Sequence, residues 1–311
     1  MLKKHHICVC ICTYKRPKRL GNLLRKLVEQ KNDDLFTYSI IIVDNDSLKS
    51  ARETFESYAS QSNIAISYNV EPRQNIALAR NKAIENAKGD FIGLIDDDEL
   101  PDSLWLLNLY KALNHFRSDG VLGPVLPCFE KAPPKWVLKG HFFDRPTHAT
   151  GFILGWKNTR TGNVLLRRNL FEEDRDCFRT EFGSGGEDRD FFRRKISQGH
   201  VFVWCNEAAV FETIPPERWE KKILMKRALI RGKMSLNSTI SRPMSIFIST
   251  AAIAIYALCI PLLLILSPII GHEIFVKYLI NSCDHLGKIL AFFHIDLVRE
   301  KYISSFHGSE N

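Results

Sequence analysis

The sequence predicts an α/β fold with a mostly parallel central sheet, followed by a helical, membrane-associated C-terminal segment. Three observations carry that expectation. Short apolar runs alternate with helical-period stretches over the first hundred residues, and the runs end in polar or acidic residues. Further on, the 25 residues 246–270 carry no charge, and they follow a stretch, 221–242, with seven Lys/Arg and no acid.

With 311 residues, 45% of them hydrophobic, the chain has enough apolar mass to bury a core, which excludes a disordered protein. A formal charge of +8 is compatible with nucleic acid, anionic lipid or phosphorylated substrates. Its location discriminates among them. Basic residues beside an apolar span form a cytoplasmic anchor pattern, and no nucleic-acid motif accompanies them, so a nucleic-acid partner is not expected.

Residues 6–13 read as the first strand. Pro17 suits a helix start, and Leu20, Leu23, Leu24, Leu27 and Val28 share one helical face. Cys8, Cys10 and Cys12 alternate along the strand and so face one side, as small core residues. None of the eight cysteines forms a CxxC pair and no His cluster stands at zinc spacing, which fits a reducing compartment. The short apolar N-terminus does not read as a signal peptide.

A second strand, 39–43, ends in Asp44-Asn45-Asp46-Ser47, and a helix follows over 49–60. Residues 64–70 form a third strand. The next helix turns Ile76, Ala79, Ala83, Ile84 and Ala87 inward, and Lys88-Gly89 has the chemistry of a C-terminal stop. The fourth strand, 91–95, ends in Asp96-Asp97-Asp98. Open α/β sheets bind ligands beyond the carboxyl ends of their strands, and carboxylates there suit a hard divalent cation shared with substrate phosphates. Glu99-Leu100-Pro101 follows where a calcium loop needs glycine, and neither GxGxxG nor a P-loop occurs, so EF-hand, dinucleotide and Walker readings fail.

A helix is expected from Pro101 to about 116 and a strand over 121–126. The aromatic, proline-rich stretch 127–151 reads as a binding loop or lid. Residues 161–168 form a strand. Then Gly183-Ser184-Gly185-Gly186 leads into Glu187-Asp188, in the first turn of a helix running to about 197. The helix dipole keeps carboxylates ionised there, which suits a base. Residues 200–211 add a strand, and Pro215-Pro216-Glu217-Arg218-Trp219 opens the basic helix.

The 246–270 stretch exceeds a ~30 Å hydrocarbon core at about 1.5 Å per residue. Pro261 and Pro268 interrupt it, so a kinked span and a re-entrant hairpin both fit. Beyond Gly271, the stripe Lys277, Asn281, Asp284 and Lys288 opposes Val276, Leu279, Ile280, Cys283 and Leu290, the pattern of an interfacial amphipathic helix. Residues 304–311 read as a frayed tail. The domains expected are 1–235 (halves about 1–100 and 101–235), 236–271, and 272–311.

Five stretches in order, Ile11-Cys12-Thr13-Tyr14-Lys15-Arg16-Pro17, Ile42-Val43-Asp44-Asn45-Asp46-Ser47, Asn75-Ile76-Ala77-Leu78-Ala79-Arg80-Asn81, the aspartate run and Gly186-Glu187-Asp188, resemble the family 2 glycosyltransferases of the GT-A fold over about residues 6–235. The resemblance implies an inverting enzyme moving a sugar from a nucleotide sugar, UDP-linked by expectation. It assigns the nucleotide to Thr13, Tyr14, Arg16, Asp44 and Asn45, with Asp44 facing the uracil, and a diphosphate or nucleotide contact to Arg80. Asp98 becomes a ligand of Mg²⁺ or Mn²⁺ with Asp96 beside it, and Asp96 or Asp97 the ribose partner. Asp188 becomes the base, next to Glu187. The long-polymer members carry Gln-x-x-Arg-Trp; Pro215 here stands in place of the Gln, which argues against a processive synthase. The basic collar and apolar stretch then point to a lipid-linked saccharide acceptor at the cytoplasmic face of a bacterial inner membrane, with membrane contact through 246–293. The competing reading is a catalytically idle nucleotide-sugar-binding subunit of a membrane assembly complex.

Overall fold

The computed structural model describes residues 4–172, 177–183, 185–237 and 242–295. The expected tail at 304–311 lies outside them. Two compact units emerge, one from 1–128 with 145–213, the other from 129–144 with 214–311.

The first unit opens with β1 (His5–Thr13), α1 (Pro17–Leu27), β2 (Phe36–Asp44), α2 (Arg52–Ala59), β3 (Ile66–Val70), α3 (Ile76–Asn86) and β4 (Phe91–Leu94). There follow β5 (Glu99–Pro101), α4 (Trp105–His115), β6 (Gly120–Leu122) and β7 (Val125–Phe129). The main sheet has the order β3-β2-β1-β4-β8-β6-β9, completed by β8 (Val164–Arg167) and β9 (Phe202–Trp204). It is mostly parallel, as expected; β8 alone runs against both its neighbours.

Alternation along the strands feeds two cores. Ile7, Val9 and Ile11 pack with Leu20, Leu23, Leu24 and Leu27 of α1 on one face. Cys8 and Cys10 face α3 on the other, in a core with Ala79, Ala83, Phe191 and Phe192, so the alternating cysteines are core residues; all eight cysteines are free thiols.

Several boundaries differ from the sequence expectation. Glu99–Pro101 is a strand rather than a helix lead-in, and pairs antiparallel with β10 (Val210–Ile214) in a second sheet of order β5-β10-β7. The run 121–126 divides at Gly123-Pro124 into β6 and β7, which belong to different sheets. Gly89 does not adopt a left-handed cap; a Cβ there would meet the His6 carbonyl at 2.6 Å, so the residue is required by close backbone approach.

In the second unit, part of the expected lid forms the short helix α5 (Lys135–Gly140). Phe129 and Phe143 pack on Trp219 and Val137 there. The basic helix is α7 (Lys221–Asn237), α6 being the helix Glu187–Ser197 of the first unit. The apolar stretch is one continuous helix, α8 (Arg242–Ile270), with both prolines inside it, so the hairpin alternative is not adopted. Among the described residues it alone is long and apolar enough to cross a bilayer, and Leu258, Ile265 and Ile269 stand exposed on it.

The final helix is α9 (His272–Phe292). Phe275, Val276, Ile280 and Cys283 are buried against Leu224 and Ala228 of α7, so this apolar face packs on protein. Gly232 lies against the Asp284 backbone and Gly287 against the Leu229 backbone, which lets the two helices cross closely. Arg231 clasps Asp284 with two bonds, at 2.9 and 2.5 Å.

Candidate active site

Parallel pairing brings the carboxyl ends of β1, β2 and β4 side by side, with Thr13 in register with Asp44. The aspartate run continues β4 into that crevice. Its three members have different places. Asp97 is 4% exposed; Thr13 Oγ1 donates to Oδ2 at 2.8 Å and Arg16 Nη1 to Oδ1 at 2.9 Å. Asp98 faces Arg16 at 3.5 Å and Arg19 at 3.3 Å. The side chain of Asp96 is 46% exposed, which makes it the member most open to a ligand.

Crowding of like charges shapes the electrostatics. Burial and then Asp97 push Asp98 up to about 6, against the pull of Arg16. Burial works against the Arg16 guanidinium, but Asp97 and Asp98 outweigh it and tighten its hold on the proton. Glu99, paired across the strands with Glu212, is held well above the usual carboxyl range by burial, then by Asp96 and Asp98. Arg145 binds Glu212 and offsets part of this charge. Gly162 is pressed onto the cluster, since a Cβ there would lie 2.5 Å from Glu99 Oε1 and 3.1 Å from Asp96 Oδ2.

The neighbouring strand Val164–Arg167 is anchored at Asn163, which is fully buried with φ 60°. Its amide accepts from Trp105 Nε1 at 2.7 Å and donates to the Pro124 and Ala208 carbonyls at 2.8 and 2.7 Å. Three residues upstream sits Arg160, half-buried and without a hydrogen bond or ion pair among the described residues. Burial and then Arg145 push its guanidinium down to about 10, while Glu99, Asp188 and Glu212 pull the other way. A dehydrated guanidinium with no direct partner suits an incoming anion.

Across the crevice, Gly185 and Gly186 take φ values of 132° and 97°, which side chains rarely adopt, and deliver Glu187 and Asp188 into the first turn of α6. The two acids diverge. Asp188 is half-buried and accepts the Arg189 amide at 2.7 Å. Glu187 is 3% exposed, turns inward to Arg80, and leaves Oε2 unpartnered. Arg80, expected as a diphosphate or nucleotide contact, reaches two carboxylates, Glu187 and Asp96, the latter at 3.2 Å.

The resemblance sets Asp44 against a uracil ring. In the structure it is fully buried, and its oxygens accept from the Ala51 amide at 2.8 Å, the Asp46 amide at 3.0 Å and the Tyr68 hydroxyl at 2.8 Å. Its place is to brace the loop after β2. Asn45 ties loops together as well: it donates to the Glu71 and Arg73 carbonyls and accepts from the Asn75 amide at 2.9 Å. Asn75 in turn caps α3 and donates to the Thr180 carbonyl. Tyr14 is half-buried at the β1 loop, with Lys15 over its ring.

Glu99, Arg145, Arg160 and Glu212 are not expected at the site from sequence. Arg145 and Arg160 come from the stretch between residues 140 and 164 and Glu212 from β10, and only Glu99, contiguous with the aspartates, carries a local signal.

The donor set can be tested against a divalent cation. Among the described residues no three His, Cys, Asp or Glu side chains converge into a closed cage. Asp96 and Asp98 supply hard carboxylate oxygens of the kind Mg²⁺ or Mn²⁺ takes when phosphate oxygens complete the shell.

Comparison with known proteins gives a consistent result. The family model described as glycosyl transferase family 2 matches residues 8–182. Succinoglycan biosynthesis protein ExoM of Rhizobium meliloti is 34% identical over 232 residues, 73% of each chain. Among solved structures, mannosyltransferase PcManGT from Pyrobaculum calidifontis, in complex with GDP-Man and Mn²⁺, superposes with a TM-score of 0.62 at 16% identity, covering 94% of this chain and 88% of that one. TarS 1-349 of S. aureus, in complex with UDP-GlcNAc, gives 0.53 at 19% identity, covering 72% and 65%.

Proposed function

This chain belongs to glycosyl transferase family 2 and is a glycosyltransferase, and from that premise we propose that it moves one sugar from a nucleotide sugar, with inversion, to a lipid-linked saccharide. The observation that carries this reading is the pairing of an accessible strand-end carboxylate, Asp96, with a second acidic site at the start of α6, Asp188.

An acceptor hydroxyl is a poor nucleophile at neutral pH, and a carboxylate within hydrogen-bond reach takes its proton as it attacks C1. Asp188 has that role. The new C1–O bond forms as the bond to the nucleoside diphosphate breaks, and the electron pair leaves on the phosphate oxygen. Asp96 and Asp98 would hold a Mg²⁺ or Mn²⁺ ion, which would supply charge stabilisation to that leaving group, so that no protein acid is needed. Arg160 faces the phosphate oxygens. The loop of Thr13, Tyr14 and Arg16, with Asn45, lines the nucleotide pocket, and Asp97 and Asp44 hold its walls.

The exposed apolar helix and the seven basic residues of 221–242 support an acceptor at the cytoplasmic face of a bacterial inner membrane. The name of the ExoM relative supports a role in polysaccharide biosynthesis. UDP is the nucleotide we favour, and the test decides it: purified protein in detergent with a diphosphate-linked lipid saccharide, offered UDP-, GDP- and dTDP-sugars with and without Mn²⁺. Release of nucleotide dependent on acceptor and Mn²⁺ supports the proposal. Normal binding without release would favour an idle nucleotide-sugar-binding subunit.

A further inference from the structure

Arg80 is 8% exposed, in the second turn of α3, a helix fixed at its start by the Asn75 cap. Its guanidinium joins two parts of the site that are distant in sequence. Nη2 donates to Asp96 Oδ1 at 3.2 Å, and Nη1 to Glu187 Oε1. The Phe178 ring lies 5.9 Å from the guanidinium carbon. Asp96 is the exposed end of this bridge, and Glu187 the buried end with an oxygen to spare. Glu187 begins a helix preceded by two glycines at positive φ, a backbone path that other residues rarely adopt.

We propose that Arg80 is a positioning residue that couples donor binding at Asp96 to the setting of the α6 turn that carries Asp188. The coupling is a competition for one guanidinium. With Asp96 uncompensated, Arg80 is shared between two carboxylates. When a donor group or its cation takes up the charge of Asp96, the guanidinium is released toward Glu187, whose free Oε2 accepts a second N–H. A two-bond Arg–carboxylate pair fixes orientation as well as distance. The first turn of α6 tightens, and Asp188, one residue along, is set for the acceptor only once the donor is present. The order of events matters chemically, because a base set before the acceptor arrives would admit water. The donor site at Asp96 and the role of Asp188 rest on the proposed function; the link from Asp96 through Arg80 to the α6 turn is the new step.

The test is amide hydrogen exchange over residues 185–191 of the full-length protein, with Mn²⁺ alone and with Mn²⁺ plus UDP, GDP or dTDP, in wild type, Arg80→Lys and Glu187→Gln. Wild type should gain about fivefold or more protection in this segment with the nucleotide that binds. Both variants should bind that nucleotide within about threefold of wild type yet lose the protection. Their kcat should fall by about 10- to 100-fold with little change in donor KM. Protection retained in both variants, or absent in wild type with bound nucleotide, overturns the coupling, as does failure of all three nucleotides to bind. Should Arg80→Lys not fold, Glu187→Gln, which keeps the side-chain shape, decides the question by itself. If Asp188→Asn keeps full turnover while the protection pattern holds, the base assignment fails and the coupling stands.

Discussion

Thr13 Oγ1 donates to Asp97 Oδ2 at 2.8 Å, so the end of the first strand holds the middle aspartate of the fourth. Arg16 takes the other oxygen at 2.9 Å. The central carboxylate is therefore a brace between strand ends, and of its neighbours Asp96 is the exposed one while Asp98 faces Arg16 and Arg19. Asp97→Ala should leave Arg16 without its nearer carboxylate and destabilise the fold by about 3–5 kcal/mol in urea unfolding. Asp96→Asn, at a side chain 46% exposed, should stay within about 1 kcal/mol of wild type and lose Mn²⁺-dependent nucleotide affinity instead. The reverse ranking would mean that the roles of the two aspartates are exchanged.

Asp188→Asn removes the proposed proton acceptor while keeping shape and the bond from the Arg189 amide. Turnover should fall by about 10²–10⁴-fold. Nucleotide binding by calorimetry should be nearly unchanged. Equal loss of both would assign Asp188 to binding or to the structure of α6.

The sequence made some parts of this site legible and left others dark, for a physical reason. Strand ends and glycine turns are local, so Asp96 to Asp98 and Glu187-Asp188 could be found from short patterns. Glu212 meets Glu99 only because β10 lies antiparallel to β5, and Arg145 and Arg160 arrive from a loop without period. Asp44 ends a strand as a ligand residue would, yet three internal donors engage it. Periodicity likewise showed that α9 has an apolar face but not whether lipid or α7 covers it. Gly232 and Gly287, each lying against the other helix's backbone, were the signal for a close helix pair.

Arg160 lacks a direct partner among the described residues, and its guanidinium is pushed down to about 10 by burial and Arg145. Arg160→Met keeps length and removes charge. A charge-assisted bond to phosphate contributes about 1.5–3 kcal/mol, so donor KM should rise by about 10- to 100-fold. Tm should hold or rise, since no internal ion pair is broken. A clear fall in Tm with unchanged KM would make Arg160 a structural residue.

Leu258 and Ile265 are 80% and 74% exposed on α8. Replacing both with Arg should leave the protein core intact and cost about 2.5–3.5 kcal/mol each at mid-bilayer depth. The double variant should move from the membrane pellet to the supernatant after ultracentrifugation and keep hydrolysing donor at its basal rate. Retention in the pellet would shift the anchoring role to the basic residues of 221–242.

Proton uptake by Asp98 has opposite consequences for folding and for binding, which makes it measurable. Its folded-state value is about 6, raised first by burial and then by Asp97, against about 3.9 for an unperturbed aspartate. The folded chain holds this proton more tightly than the unfolded chain does. The group therefore favours folding at low pH, and that contribution declines as pH climbs from about 4 through about 6. Between pH 5 and 7.5 it is on the order of 1 kcal/mol, and Asp98→Asn should lack it. A cation needs the ionised carboxylate, so Mn²⁺-dependent UDP affinity should instead weaken as pH falls below about 6, approaching tenfold per unit. Urea unfolding and calorimetry at matched pH, on wild type and Asp98→Asn, read both slopes. Identical pH dependence in the two proteins would exclude Asp98 as the group that titrates.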